Sequence, residues 1–326
     1  MSLQVALPTT PANLMKNVAD NKNIFTRKFI DGFGFKDKMT VMYDSRDIVP
    51  LPRVRTTSFL RPGRTGTWAA AANTVAFSAR EAQLRPSKGD AEITELAIES
   101  LWNSYMGQMY MKGSKTSQRA YITETPFENI IIEQLIARAN QDYRMRTAFR
   151  GSYNAAGANS ASIDNGLIAK MTAEFGVDIP FANLVGTAMP NATNMVAITQ
   201  AIIDLITAQA PEYINEPLQM WMNPQLAKFY SRNCMTAYGI NHSQWEAQFE
   251  KKVLFDQPNI EIVPEVGMSG SNRIFVTPKE NLVFCADSQS LNIKFHERIR
   301  DWQVALDFKS TLDFCEGELI WSNTLA

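Results

Sequence analysis

Apolar positions recur at helical spacing in two long runs. In residues 90–112, Ile93, Leu96, Ala97, Leu101, Tyr105 and Met109 form one stripe. Asp90 stands where a cap belongs, Glu92 falls in the first turn, and Lys112-Gly113 marks the end. The second run opens on Thr125-Pro126-Phe127-Glu128, a capping box with proline at the first helical position. Ile132, Leu135, Ile136, Ala139 and Tyr143 continue it toward Arg144, Arg146, Arg150 and Gly151. Weaker periodicity predicts helices over 163–175 and 195–209, with the small-residue loop 152–161 crossing into a second lobe. A strand over 218–222 then runs into Asn223-Pro224, a cap and first-turn pair that opens a helix to about Asn233.

From residue 260 the period changes to two. Strands are expected over 260–263, 273–277, 282–286, 291–295 and 302–314, the last starting with the alternation Trp302, Val304, Leu306, Phe308. Lys279-Glu280-Asn281 reads as a turn, and no internal repeat is visible. Residues 1–45 scatter their apolar positions, with a short helix over 24–30 and an arm that must lie on other structure.

Residues 46–89 differ from both patterns. Prolines 50, 52, 62 and 86 and glycines 63 and 66 exclude a helix, yet 53–60 and 73–83 alternate as strands do. Pro62-Gly63-Arg64-Thr65-Gly66 between them is turn chemistry. The expectation is a long two-stranded hairpin with arms of roughly 15 residues, projecting about 50 Å. An isolated hairpin is marginal in water, so it needs a partner surface. The segment carries Arg46, Arg53, Arg55, Arg61, Arg64, Arg80, Arg85 and Lys88 against Asp47 and Glu81 alone. Its net +6 sits in a chain of formal net charge −1, which leaves −7 on all other residues.

Composition narrows the function. The chain has 326 residues, of which 45% are hydrophobic and 20% charged, enough for a substantial core but sparing in charge for a solvated monomer. Surface lost to neighbours accounts for the sparing charge. The near-zero balance excludes a chain-wide basic field for nucleic acid. Cys234, Cys285 and Cys315 are odd in number and widely spaced, which encodes neither a disulfide framework nor a thiolate zinc site. No secretory leader and no apolar run of membrane-spanning length is apparent, so a soluble protein made in a cytoplasm is expected.

Catalytic signatures are missing. His242 and His296 are the only histidines, and neither stands in a metal or triad motif. Gly113-Ser114-Lys115-Thr116 resembles a phosphate loop, but Ser114 intrudes and a helix precedes it, so a helix-ending turn is the better reading. Gly63-x-x-Gly66 and Gly267-x-x-Gly270 lack the strand–helix setting of a dinucleotide fingerprint. The methionines, among them Met106, Met109, Met111, Met220 and Met222, read as core filler.

An arm, a long basic hairpin, a long helix, a helical lobe and a strand-rich tail follow one another in that order. This order resembles the major capsid proteins of tailed bacteriophages, with their Hong Kong 97-type shell fold. Trp221-Met222-Asn223-Pro224 is similar to the strand-to-helix element of the family's axial domain. Residues 260–264, 273–278 and 281–284 resemble its later strands, and 302–308 the closing peripheral strand. The resemblance implies an α+β fold divided into an N-terminal arm (1–45), an extended hairpin (46–89) and a peripheral domain with a spine helix (90–151). An axial domain (152–286) and return strands of the peripheral domain (287–326) complete it. It implies a non-enzymatic shell subunit without cofactor or metal, forming pentamers and hexamers of an icosahedral head around double-stranded DNA, in virions assembled in a bacterial cytoplasm.

Arg53, Arg55, Arg61, Arg64, Trp68 and Phe77 are then the candidate subunit-interface residues. Residues 1–45 are too short and unpatterned for a built-in scaffold, which implies a separate scaffolding protein, with a portal and non-specific DNA contacts as further partners. Some relatives cross-link covalently through a hairpin lysine; here only Lys88 is present, at the hairpin base, so no cross-link is expected. Two alternatives stay open: an encapsulin-type nanocompartment shell, and a soluble nucleotide-using enzyme should Gly113-Ser114-Lys115-Thr116 be more than a turn.

Overall fold

The computed structural model describes residues 11–43, 45–56, 75–111, 127–239, 252–297 and 301–325. The chain opens with α1 (Pro11–Asp20), α2 (Lys22–Gly32), β1 (Thr40–Met42), β2 (Ile48–Thr56), β3 (Val75–Gln83), β4 (Arg85–Thr94) and α3 (Glu95–Met111). There follow α4 (Phe127–Asp142), α5 (Leu167–Ala173), β5 (Leu184–Val185), α6 (Met195–Gln209), β6 (Leu218–Met222) and α7 (Pro224–Tyr238). The remainder is β7 (Ile260–Pro264), β8 (Phe275–Pro278), β9 (Leu282–Ala286), β10 (Asn292–Glu297), β11 (Asp301–Phe314) and β12 (Trp321–Asn323).

The long strand β11 organises the first sheet. It pairs antiparallel with β4, β9 and β10, and β1 joins β9 in parallel. The alternation read from the sequence holds: Trp302, Val304, Leu306 and Phe308 are buried. Against that face α2 delivers Phe25, Phe29 and Ile30, and the following turn adds Phe33 and Phe35. Phe33 meets Phe29, Tyr143 and Phe284 edge-on at centroid distances of 5.0, 5.2 and 5.0 Å. Residues 25–35 therefore lie on their own chain's core. The expected short helix is present as α2, whereas α1 and β1 carry too few patterned positions to be read from sequence.

A second sheet has the order β5-β12-β8-β6-β7. Every residue of β6 is buried between α6 and α7 and the neighbouring strands. Asn223 caps α7 as its sequence implies, accepting a hydrogen bond from the Gln225 backbone N–H at 3.0 Å, with Pro224 at the first helical position. The helix runs past Asn233 to Tyr238, where Gly239 takes the left-handed conformation (φ 68°) that ends it.

Several expectations are corrected. Asp90 does not cap a helix; it lies inside β4, whose ten residues all pair with β11. That ladder holds residues 85–94 extended, so 85–89 belongs to the sheet and not to the hairpin. α3 starts at Glu95, with the Thr94 hydroxyl accepting from the Ala97 N–H at 3.4 Å. The register of the helix shifts accordingly. Ile98, Tyr105 and Met109 are buried, while Leu96 is 76% exposed and Ala97 and Met111 face outward.

Among the described residues the hairpin strands cover 48–56 and 75–83, so the first begins five residues before the expected 53; 57–60 and 73–74 lie outside the described residues. α5 is shorter than 163–175, because the Gly166, Leu167 and Ile168 N–H groups bind the carbonyls of Gly151, Ala148 and Phe149. β8 starts two residues late: the Arg273 N–H is taken by the Ser271 hydroxyl and the Ile274 N–H by the Asn323 side chain. The cap Thr125-Pro126, the turn at 113–116 and His242 lie outside the described residues. His296 is an exposed strand residue. Met109, Met220 and Met222 are core filler as expected.

Candidate subunit interface

β2 and β3 pair only with each other among the described residues, in an unbroken antiparallel register from Ile48↔Gln83 to Thr56↔Val75. Pro50 and Pro52 fit this strand because it is an edge. The base is seated by a small apolar cluster: Leu51, Ala82 and Leu84 pack on Val283 and Cys285 of β9. The Leu84 N–H binds the Asp47 carbonyl at 2.9 Å, and the Asp47 carboxylate pairs with Lys309 on β11.

Two arginines of the hairpin reach into acidic groups on the body. Arg80 contacts Glu174 at 3.0 Å, Asp313 at 3.0 Å and Asp178 at 3.7 Å, and its guanidinium lies 4.0 Å from the centroid of the Phe314 ring. Burial opposes the charge on Arg80, but Asp313 and Glu174 outweigh it, so its pKa is raised. Arg53 pairs with Asp178, both side chains being largely buried. Asp178 itself is fixed by tight packing: a Cβ on Gly317 would sit 2.5 Å from its backbone. The result is an ionic clamp between β2–β3 and the 174–178 turn.

Of the six candidate residues, Arg53 is thus engaged within its own subunit. Arg55 and Phe77 lie on β2 and β3, where the backbone register places them on neighbouring pairs, Arg55↔Ala76 and Val54↔Phe77. Arg61, Arg64 and Trp68 lie outside the described residues. The clamp partners Arg80, Glu174, Asp178 and Asp313 were not candidates. They come from three separate parts of the chain, β3, the 174–178 turn and β11, and no local pattern links the three.

Sequence reading also missed the apolar residues that the fold leaves uncovered. Beside the clamp, Val177 and Phe181 are 82% and 72% exposed. Tyr110 and Met111 are exposed at the end of α3. Among the described residues no group of histidine, cysteine and acidic side chains is arranged to hold a metal, and no helix is long and apolar enough to cross a membrane.

No protein-family model and no curated protein sequence matches the chain. Solved structures do. A chain of the satellite phage P4 procapsid that includes the size determination (Sid) protein superimposes with a TM-score of 0.61 at 13% identity, covering 97% of this chain and 90% of that one. The capsid of Myoviridae phage XM1 matches at 0.48 with 15% identity, covering 91% and 90%. The SrpI encapsulin of Synechococcus elongatus PCC 7942 also matches at 0.48, with 12% identity, covering 90% and 87%. The P4 procapsid likeness runs nearly end to end, and it gives this chain an α+β fold of the Hong Kong 97 shell type.

Proposed function

We propose that this chain is a major capsid protein that self-associates into pentamers and hexamers of an icosahedral phage head enclosing double-stranded DNA. The observation that carries this reading is the end-to-end likeness to a procapsid chain, at 97% and 90% coverage. A clamped hairpin base supports it. The clamp fixes the direction in which β2 and β3 leave the body. Burial and charge pairing then accumulate over many weak contacts, which closure of the shell multiplies.

In this reading the chain is a non-enzymatic structural protein of the virion. α3 is the spine helix of a peripheral domain (90–151 and 287–326), and residues 152–286 form the axial domain. Residues 1–45 are the arm and 46–84 the hairpin region, with 85–89 part of the peripheral sheet. A separate scaffolding protein and a portal complete the assembly in the host cytoplasm. The enzyme alternative rests on Gly113-Ser114-Lys115-Thr116, outside the described residues, and nothing else supports it.

The test pairs two measurements on one variant. Arg55, Arg61 and Arg64 changed together to Glu bring the net charge of residues 46–89 from +6 to 0. Far-ultraviolet circular dichroism should match the unaltered chain, while sedimentation velocity shows particles for the unaltered chain and only small species for the variant. Normal particles from the variant would remove the hairpin charge from the assembly mechanism. Global unfolding would place the segment inside the core and count against the shell reading. Nucleic acid inside the unaltered particles supports a phage head; protein cargo would assign a nanocompartment.

A further inference from the structure

Around Gly270 the surface is concave and cationic. The turn that follows β7 carries Gly270 in a left-handed conformation (φ 89°) as the wall between two hollows. One hollow, of about 500 Å³, is bordered by Lys228 and Arg232 on α7, with Phe229 and Ser269. The other, of about 570 Å³, is bordered by Arg150, Ser152, Thr172 and Ser271. Arg150 reaches over the turn, with its Nη1 2.7 Å from where a Cβ on Gly270 would be. Among the described residues no carboxylate borders either hollow.

Arg150, Lys228 and Arg232 are exposed and form no ion pair among the described residues. A fourth cation lies beneath. Arg273 is 1% exposed, donates to the Asn323 carbonyl and, at 3.1 Å, to the Thr172 hydroxyl on the hollow's rim. Its guanidinium also faces the Phe175 ring at 4.8 Å, and no carboxylate pairs with it among the described residues. Burial lowers its pKa to about 10, so it stays charged at neutral pH and adds positive potential under the rim.

We propose that this surface holds backbone phosphates of nucleic acid, with Arg150, Lys228 and Arg232 as the direct contacts. The proposal rests on the shell reading above, because enclosed DNA is what brings phosphate to the subunit. Three exposed cations, Arg150 from the turn after α4 and Lys228 and Arg232 from α7, border two adjoining hollows that share Gly270 and that no carboxylate lines among the described residues. That arrangement suits repeated, sequence-independent phosphate contact, and nothing in it reads base edges. The rest of the chain carries an acidic balance, so the site is local and not a chain-wide field.

The test uses full-length unassembled subunits and a 30-base-pair duplex of arbitrary sequence, followed by fluorescence anisotropy between 50 and 200 mM salt. Removing one phosphate-binding cation should flatten the dependence of log affinity on log salt by about 0.9. Arg150, Lys228 and Arg232 changed together to Gln should flatten it by about 2 to 3 and weaken binding at 50 mM salt at least tenfold. Lys228→Gln alone should flatten it by about 1 and keeps the test decisive should the triple variant misfold. A control with Lys252, Lys279 and Lys294 changed to Gln removes the same charge and should leave the slope nearly unchanged.

Equal effects in the two triple variants, or no duplex binding by the unaltered chain, would overturn the site. Poly-glutamate that competes as strongly as the duplex at equal charge would overturn the nucleic-acid assignment in favour of an acidic protein. Negative-stain images of the same preparation after assembly report on the shell reading separately, so the failure of one is not mistaken for the failure of the other.

Discussion

The Arg144 guanidinium and the Glu265 carboxylate, 121 residues apart, face each other in two parallel hydrogen bonds of 2.8 Å. Arg144 lies in the turn that extends α4 over the first sheet; Glu265 follows β7 of the second. Glu265 is fully buried and also accepts from the Gly267 N–H at 3.2 Å, while a Cβ on Gly267 would meet the Arg144 carbonyl oxygen at 2.4 Å. This bidentate pair ties the two sheets together. Removing its positive half is the worse loss, since it strands a buried carboxylate. Arg144→Ala should cost about 3–5 kcal/mol. Glu265→Ala leaves a guanidinium that reaches water and should cost less, about 1–3 kcal/mol. Urea unfolding of unassembled subunits reads both, and equal costs would show that the carboxylate is not isolated from solvent.

The clamp at the hairpin base should set hairpin order. Arg80→Leu removes the ion pairs to Glu174, Asp178 and Asp313 in one step while leaving the Leu51–Ala82–Leu84 seat intact. Hydrogen exchange in β2 and β3 should then accelerate at least tenfold, with protection in β11 unchanged. Unaltered protection across β2 and β3 would mean that the apolar seat and the Arg53–Asp178 pair hold the hairpin without Arg80.

Alkaline pH should weaken the fold through its thiols. Burial pushes the Cys285 thiol up from 9.0 to about 12 and the Cys315 thiol up to about 11. Unfolded thiols ionise near pH 9 whereas the folded ones stay neutral, so stability held below pH 9 is lost as pH rises toward 11–12. The Tyr143 phenol, raised by burial, acts in the same direction at higher pH. Denaturant midpoints at pH 7, 9 and 10.5 check this. A Cys285→Ser variant, which replaces the ionising thiol with a smaller hydroxyl that stays neutral, should show a shallower decline. A flat profile, or fast maleimide labelling of Cys285 in the folded chain at pH 8, contradicts it.

Asn223 should matter through its side-chain oxygen. Asn223→Ala removes the acceptor for the Gln225 N–H and the weaker donation to the Ser271 carbonyl at 3.4 Å, and should cost about 1 kcal/mol. Asn223→Asp keeps the cap and should recover most of that. Unfolding midpoints for the two variants decide it; equal losses would mean that capping is not what Asn223 contributes.

Asn223-Pro224 was legible because a cap and a fixed φ act over two residues. The same holds for Trp302, Val304, Leu306 and Phe308, whose alternation is the sheet's own period. Asp90 was misread for a matching reason. Its neighbourhood fits a helix start, and only pairing with Ala305 on β11, far along the chain, makes it strand. Leu96 followed the same error onto an exposed face. The clamp was invisible for another cause: Arg53, Arg80, Glu174, Asp178 and Asp313 have no spacing in common, and ion pairs leave no periodic trace. Arg61 and Arg64, outside the described residues, remain sequence-based candidates.

Closed-shell assembly is tested most directly by imaging the unaltered chain after expression and purification, with its mass measured by sedimentation. The account predicts megadalton, closed icosahedral particles whose surface resolves into groups of five and six subunits, each subunit running near 36.6 kDa after boiling in detergent. A discrete oligomer of a few subunits, under every condition that keeps the chain folded, would contradict it.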